Sequence, residues 1–195
     1  MKSSKKNRLK VIEQAIRDAH DFALDHCGMP LNKMPEYFLA VTIGQAMVTE
    51  IDNFKARFEM SVKELLAYLE VKTTGEPQDR ENGRFDLVLL TRSKDTPAHI
   101  IEVKRGIKTQ SMAADIRRLA NICRAASSGS RLETNYFVTV TARNDKIVSE
   151  RPEMLMISNA DTLQNIQIHA PKIIELEHSD GIVNAAIYEV SYNYS

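Results

Sequence analysis

The stretch that most constrains the fold of this chain lies between residues 83 and 106. It contains two short runs of mainly apolar residues, 85–90 and 99–103, with a polar segment that includes Asp95 and Pro97 between them. Runs of about five β-prone residues bounded by Gly, Pro and Asp are typical of two strands joined as a hairpin. The sequence therefore predicts a β-hairpin here.

Each predicted strand of this hairpin carries one carboxylate in an otherwise apolar run. Asp86 is in the first strand and Glu102 is in the second, and Lys104 comes two residues after Glu102. Side chains two residues apart on a strand point to the same face of the sheet. Two carboxylates and an ammonium group on neighbouring strands are the components of a Mg²⁺ site with a catalytic lysine beside it.

These residues resemble the motif of the PD-(D/E)XK nuclease superfamily, which has the restriction-endonuclease-like fold. Asp86 matches the aspartate of the motif, and Glu102, Val103 and Lys104 match its E-x-K tripeptide. Phe85 occupies the position at which the motif name has proline, so the match is incomplete. The resemblance implies an α/β fold in which a central mixed β-sheet is flanked by α-helices. The chain of 195 residues is expected to form this one domain.

The resemblance also implies a reaction and a cofactor. Asp86 and Glu102 would bind one or two Mg²⁺ or Mn²⁺ ions, with the main-chain carbonyl of Val103 as a further ligand. The metal would polarise a phosphodiester and lower the pKa of a bound water. Lys104 would orient that water or stabilise the charge that develops on the phosphate. The expected activity is hydrolysis of DNA to 5′-phosphate ends.

Three other interpretations of the same residues remain open. Glu102 and Lys104 can form a solvated cross-strand pair in an ordinary hairpin. The chain can be a catalytically silent module that keeps the fold and binds DNA or protein in a larger complex, which the net charge of zero favours. It can also be an α/β interaction protein without nuclease ancestry, in which case the hairpin pattern is a coincidence.

A second candidate for the site comes from a helix predicted over residues 37–51. This segment is apolar on nearly all sides, which indicates a mostly buried helix. Pro35 suits its first turn, and Glu36 lies in the stripe of Ala40 and Ile43. A buried carboxylate needs a partner, such as a metal or a catalytic lysine. Nucleases of the superfamily often carry a glutamate on this helix, so Glu36 is a candidate catalytic residue by resemblance. Interaction with the helix dipole explains it nearly as well.

A further helix is predicted after the hairpin, over residues 112–126, with Ser111 as its cap. Arg118 can pair with Asp115 on this helix at the i,i+3 spacing. A separate polar stripe of the helix and the segment before it form the best local basic patch of the chain. A charged outer face is the commoner meaning of such a stripe, and contact with the DNA backbone is the functional one. The four candidates for that contact are Arg105, Lys108, Arg117 and Arg124.

The N-terminal residues 1–10 are basic and poor in apolar residues, which is typical of a flexible head, and a helix is predicted over residues 9–26. No apolar run reaches membrane-spanning length, and no signal peptide is evident, so we expect a cytoplasmic protein without contact with membranes. Cys27 and Cys123 are too few and too isolated for a disulfide framework, so both thiols are expected to be reduced.

Strands are also predicted over residues 134–142, 173–177 and 185–192. A helix that crosses between the hairpin and the strand at 134–142 indicates at least one parallel pair of strands. A homodimer is expected if cleavage is double-stranded, since one such site cuts one strand at a time, and an exposed edge of the strand at 185–192 is the predicted contact.

The segment between the first two helices and the hairpin is harder to interpret. Residues 54–60 are ambiguous between strand and helix. Ser61 and Glu64 have the spacing of a capping box, which predicts a helix to about residue 70. Residues 73–82 are loop-like, and either contact with a substrate or simple entry to the hairpin explains them.

Overall fold

A mixed β-sheet occupies the centre of the protein, with α-helices on both of its faces. The computed structural model describes residues 1–70, 83–126, 131–160, 163 and 165–192. The helices are α1 (Lys5–Cys27), α2 (Glu36–Glu50), α3 (Val62–Tyr68), α4 (Thr109–Ala125), α5 (Asp145–Ser149) and α6 (Arg151–Ser158). The strands are β1 (Phe54–Ser61), β2 (Arg84–Thr91), β3 (Pro97–Arg105), β4 (Thr134–Thr141), β5 (Ile166–Ile168), β6 (Lys172–His178) and β7 (Gly181–Tyr192). Short 3₁₀ helices span Leu31–Lys33 and Arg131–Glu133.

The strands of the described residues form one sheet in the order β1-β2-β3-β4-β7-β5, and β6 also pairs with β7. Strands β3 and β4 are parallel, and the other pairs are antiparallel. Helix α4 lies between the two parallel strands in the chain, as a crossover connection requires. The structure confirms an α/β fold with a central mixed sheet flanked by helices, and β2 and β3 form the predicted hairpin.

The buried apolar residues separate into two clusters, one on each face of the sheet. Helices α1 and α2 contribute to the first cluster, with Ile16 and Ile43 among its members. Helices α3, α4 and α6 contribute to the second, with Leu65, Ile116 and Leu155 among its members. Successive residues of a strand point to opposite faces, so the interior strands supply both clusters.

Helix α2 approaches the sheet closely at Gly44. A Cβ atom at this position would lie 2.6 Å from the Phe58 ring of β1, which is much closer than van der Waals contact allows. Glycine is the residue that permits such an approach. This contact sets the distance between α2 and the sheet, and Glu36 is the first residue of the same helix.

Helix α1 begins at Lys5, before the start predicted near residue 9. Ser4 caps it, because the Ser4 Oγ atom accepts a hydrogen bond of 3.2 Å from the Asn7 N–H. Lys5 and Arg8, which belong to the predicted basic head, also reach the sheet. Lys5 Nζ lies 2.8 Å from Glu189 Oε1, and Arg8 Nε donates to the Tyr136 hydroxyl at 2.8 Å.

Two local predictions around the hairpin have opposite outcomes. Ser61 caps α3 as predicted, since its Oγ atom accepts from the Glu64 N–H at 3.1 Å, and the ambiguous residues before it form β1. The predicted cap at Ser111 is wrong, because α4 begins at Thr109 with Lys108 at its N-cap position. The Ser111 hydroxyl lies in the first turn and donates to the Lys108 carbonyl at 3.0 Å.

The predicted exposed edge at residues 185–192 is also wrong. Strand β7 pairs with β4 on one side and with β5 and β6 on the other, so its main-chain groups are already engaged within the sheet. A homodimer cannot use this strand as a free edge. The loop-like segment predicted over residues 73–82 lies outside the described residues. None of the described helices combines the length and the apolarity needed to cross a membrane.

Candidate active site

The hairpin becomes irregular at Asp86. The ladder between β2 and β3 runs as far as the pair Leu87 and Ile101. Beyond it, the Asp86 side chain takes the place of a ladder partner, since its Oδ2 atom accepts a hydrogen bond of 2.7 Å from the Val103 N–H. On the other side of β2, Glu59 lies opposite Asp86 in β1 and has a φ of 54°. Asp86 is therefore tied to β3 at a point where the backbone of the sheet is distorted.

Because of this distortion, Phe85 points to the face of the sheet opposite to the one that a regular strand would give it. Phe85 and Val88 belong to the same apolar cluster, although residues three apart on a regular strand point to opposite faces. Phe85 thereby places its ring under α4, where the Arg118 guanidinium lies 5.0 Å from the ring centroid. The residue that replaces the motif proline thus supports a cation of the site.

Glu102 is fully buried at the centre of the site. Its Oε1 atom accepts a hydrogen bond from the Arg118 guanidinium. Its Oε2 atom is buried and has no hydrogen-bond donor among the described residues. Burial is the largest cause that raises the pKa of Glu102 well above its ordinary value, and the nearby Asp86 charge raises it further, while Arg118 opposes the shift. A side-chain hydrogen bond with Asp86 also raises the pKa of Glu102, because it favours the protonated carboxyl group.

Lys104 lies on the α4 side of β3, on the same face as Glu102, as predicted. Its Nζ atom is 3.6 Å from Glu36 Oε2 and 3.8 Å from Asp115 Oδ2. Burial alone would lower the pKa of Lys104, but the charges of Asp115 and Glu36, followed by those of Asp86 and Glu102, outweigh it and raise the pKa. The alternative of a solvated Glu102–Lys104 pair is wrong, because Glu102 is buried and bonded to Arg118.

Glu36 has the partners that its position on a buried stripe required. Its Oε1 atom accepts a hydrogen bond of 2.7 Å from the Arg105 N–H, and its Oε2 atom faces Lys104. One carboxylate therefore links the start of α2 to the end of β3. This geometry gives Glu36 a role beyond the helix dipole, namely to hold Lys104 and the strand end in place.

Two residues of the site were not predicted from the sequence as members of it. Asp115 and Arg118 of α4 form the expected i,i+3 pair, with 3.3 Å between Asp115 Oδ1 and the guanidinium. Both face the sheet rather than solvent, with side-chain exposures of 8% and 12%. The available signal was the position of Asp115 between Met112 and Leu119, in the apolar stripe of the helix.

The predicted basic patch is divided by the structure. Arg105 and Lys108 follow Lys104 closely in the chain, and Arg105 reaches the α2 end through its Glu36 hydrogen bond. Arg117 and Arg124 lie on another side of α4, since a spacing of about 100° per residue places them roughly 160° or more from Asp115. Arg124 is exposed. The structure does not bring these two arginines to the carboxylates.

The divalent cation that the resemblance implies needs carboxylate or carbonyl oxygens that can ligate it. No group of three or more His, Cys, Asp and Glu side chains in the described ranges is arranged to hold a metal. The site instead offers the Asp86 carboxyl group and the buried Glu102 Oε2 atom, for which the described ranges supply no donor. Mg²⁺ is commonly bound through one or two carboxylates and completes its shell with water and substrate phosphate. The two residues therefore fit this ion, and the Val103 carbonyl stays a predicted ligand.

The ionisable groups leave an excess of negative charge that such a cation would balance. Lys104 and Arg118 are the cations of the connected set, and both contact Asp115. The carboxylates are Glu36, Asp86, Glu102 and Asp115. When all six groups are ionised, the charges of this set sum to two negative charges. We call these six side chains the charge cluster.

Comparison with known proteins adds no relative. The chain matches none of the protein-family models, curated proteins or solved structures with which it was compared.

Proposed function

We propose that this protein is a metal-dependent DNA endonuclease. The observation that carries the proposal is the buried Glu102 Oε2 atom, which has no hydrogen-bond donor among the described residues, in a side chain that interacts with the Asp86 carboxyl group. Two carboxylates in this position repel each other unless a cation or a proton lies between them. An ammonium group on the same strand face completes the set of groups that phosphodiester hydrolysis needs.

Asp86 and Glu102 would hold Mg²⁺ or Mn²⁺, with the Val103 carbonyl as a further ligand. The bound ion would act as a Lewis acid toward a phosphate oxygen. The Asp86 side chain is fixed for this task by its hydrogen bond from the Val103 N–H, and Glu102 is fixed by Arg118. Both carboxylates are therefore preorganised before any ligand arrives.

Lys104 would contact the scissile phosphate. Its side chain is 29% exposed, so the ammonium group is accessible from solvent while Glu36 and Asp115 hold its position. A fixed positive charge beside the phosphate stabilises the additional negative charge of the transition state. Glu36 and Asp115 do not reach the phosphate in this scheme, and they act as positioning residues for Lys104.

DNA would be held through its phosphates rather than its bases. Arg105 and Lys108 lie nearest in the chain to Lys104 and would make this contact. Arg117 and Arg124 lie on another side of α4, so they would contact only DNA that continues past this helix. Cutting both strands in one encounter would need two copies of the site, which a homodimer supplies. The free thiols of Cys27 and Cys123 suit the reducing cytoplasm, where we place the protein.

A second candidate function is favoured by one observation. Arg118 already supplies a counter-charge to Glu102, so the buried carboxylate has a partner without any metal. A protein that keeps this fold as a silent module, binding DNA or protein in a larger complex, would be expected to neutralise its former ligands in this way.

Cleavage of supercoiled plasmid DNA separates the two candidates. The wild-type protein should nick the plasmid in Mg²⁺ or Mn²⁺ and not in chelator, and Asp86→Asn should remove both the activity and the heat of Mn²⁺ binding. The matched control is Asp95→Asn, which alters an exposed aspartate paired with Lys55 and should change neither. Binding of DNA without cleavage, together with equal Mn²⁺ heats for wild type and Asp86→Asn, would establish the silent module instead.

A further inference from the structure

The Arg118 side chain is more enclosed than arginine side chains usually are. Its guanidinium contacts Glu102 Oε1 on one side and lies 3.3 Å from Asp115 Oδ1 on another. The Phe85 ring lies beneath it, and the side chain is 12% exposed. Three elements, β2, β3 and α4, therefore hold the guanidinium against the carboxylates.

The two oxygens of Glu102 are consequently in different environments. Arg118 donates to the Oε1 atom, whereas the Oε2 atom is buried and has no donor in the part of the chain that the structure describes. A carboxylate that is available to metals through both oxygens can bridge two ions. With Oε1 taken by a fixed guanidinium, Glu102 offers one oxygen and hence one position for a cation.

The charges of the site agree with one divalent ion. Four carboxylates and two cations of the charge cluster leave two negative charges when all are ionised, which one Mg²⁺ or Mn²⁺ balances. A second divalent ion would leave two excess positive charges in the wild-type set but only one without the Arg118 charge, and such an excess is costly away from water.

We propose that the site takes a single divalent cation, at Asp86 and Glu102 Oε2, and that the Arg118 guanidinium stands in the place of a second one. This inference rests on the proposed function, because it assumes that the carboxylate pair binds a metal. It goes beyond that function by assigning the number of ions and by giving Arg118 a role as a permanent charge of the site.

The number of bound ions tests the proposal directly. The sharp electron paramagnetic resonance signal of free Mn²⁺ is lost on binding, so titration of Mn²⁺ into the protein counts bound ions without any assay of cleavage. Wild type should bind one ion. Arg118→Met removes the charge and frees Glu102 Oε1, so it should bind two. Arg118→Gln keeps a hydrogen-bond donor for Oε1 but no charge, and it should bind a second ion more weakly than Arg118→Met.

The matched control is Arg57→Met, which breaks the exposed Arg57–Glu64 pair of 2.6 Å and should keep one ion. Thermal melts show whether each variant is folded. If both Arg118 variants unfold, the number of Mn²⁺ ions bound by the wild-type protein decides the proposal. Two ions in wild type, or one ion in a folded Arg118→Met, would overturn the role of Arg118 and leave the metal site intact. Binding by Arg118→Met alone would show that Arg118 blocks the only cation position. No binding by any variant would end the proposed metal site itself and the inference with it.

Discussion

Replacing Lys104 with alanine separates a catalytic role of this residue from a structural one. The ammonium group lies 3.6 Å from Glu36 and 3.8 Å from Asp115, and its side chain is 29% exposed. Partly exposed ion pairs contribute about 0–1 kcal/mol each, so the free energy of unfolding should fall by at most about 2 kcal/mol. For a domain of this size each kcal/mol lowers the Tm by roughly 2–4 °C.

The effect on cleavage should be far larger than the effect on stability. Loss of a charge that contacts the phosphate in the transition state typically costs about 3 kcal/mol, which is at least about a hundredfold in rate. The number of bound Mn²⁺ ions should stay at one, since the Nζ atom of Lys104 pairs with Glu36 and Asp115 and occupies no metal position in this scheme. Loss of its positive charge should strengthen Mn²⁺ binding rather than weaken it.

Plasmid nicking, Mn²⁺ titration and thermal melts of the same preparations measure the three effects side by side. Lys55→Ala is the matched control, because it breaks an exposed lysine pair of 2.6 Å with Asp95 and lies on β1. It should lose little stability and no activity. Cleavage by Lys104→Ala at the wild-type rate would refute the nuclease assignment of this site, whatever the resemblance of its residues.

Two further predictions concern DNA binding and a buried histidine. Arg105→Ala and Lys108→Ala, which alter exposed side chains, should each weaken DNA binding about equally across sequences. Each should also lower the salt dependence by about one unit per lost phosphate contact, measured by titration at several salt concentrations; a changed sequence preference with an unchanged salt slope would contradict this. Burial, assisted by the charge of Arg8, lowers the pKa of His99 to about 3 despite its 2.8 Å contact with the Thr134 carbonyl. The unfolded chain therefore binds the extra proton, so the free energy of unfolding should fall as the pH drops from about 6.5 toward 3, by up to about 1.4 kcal/mol per unit. Urea unfolding of wild type and His99→Gln at pH 7 and pH 4.5 checks this, and an equal loss in both proteins would exclude His99 as the cause.

The sequence by itself determined the elements that depend on short-range pattern. Short runs of β-prone residues bounded by Gly, Pro and Asp predicted the hairpin of β2 and β3, and the two-residue spacing placed Glu102 and Lys104 on one face. The apolar helix before the hairpin was also predicted, with Glu36 on a stripe that needs a partner. These features follow from strand and helix periods, which a single segment carries in its own residues.

Only the tertiary structure decided which helices and strands pack against one another. Asp115 and Arg118 were readable as an ordinary helix pair, and only the packing of α4 on β3 brings them to Glu102 and Lys104. In the same way, β7 was recognisable as a strand, but its position between β4 on one side and β5 and β6 on the other could not be deduced from its own residues. Contacts between segments far apart in the chain depend on how all the apolar faces are buried together, and no local period encodes that arrangement.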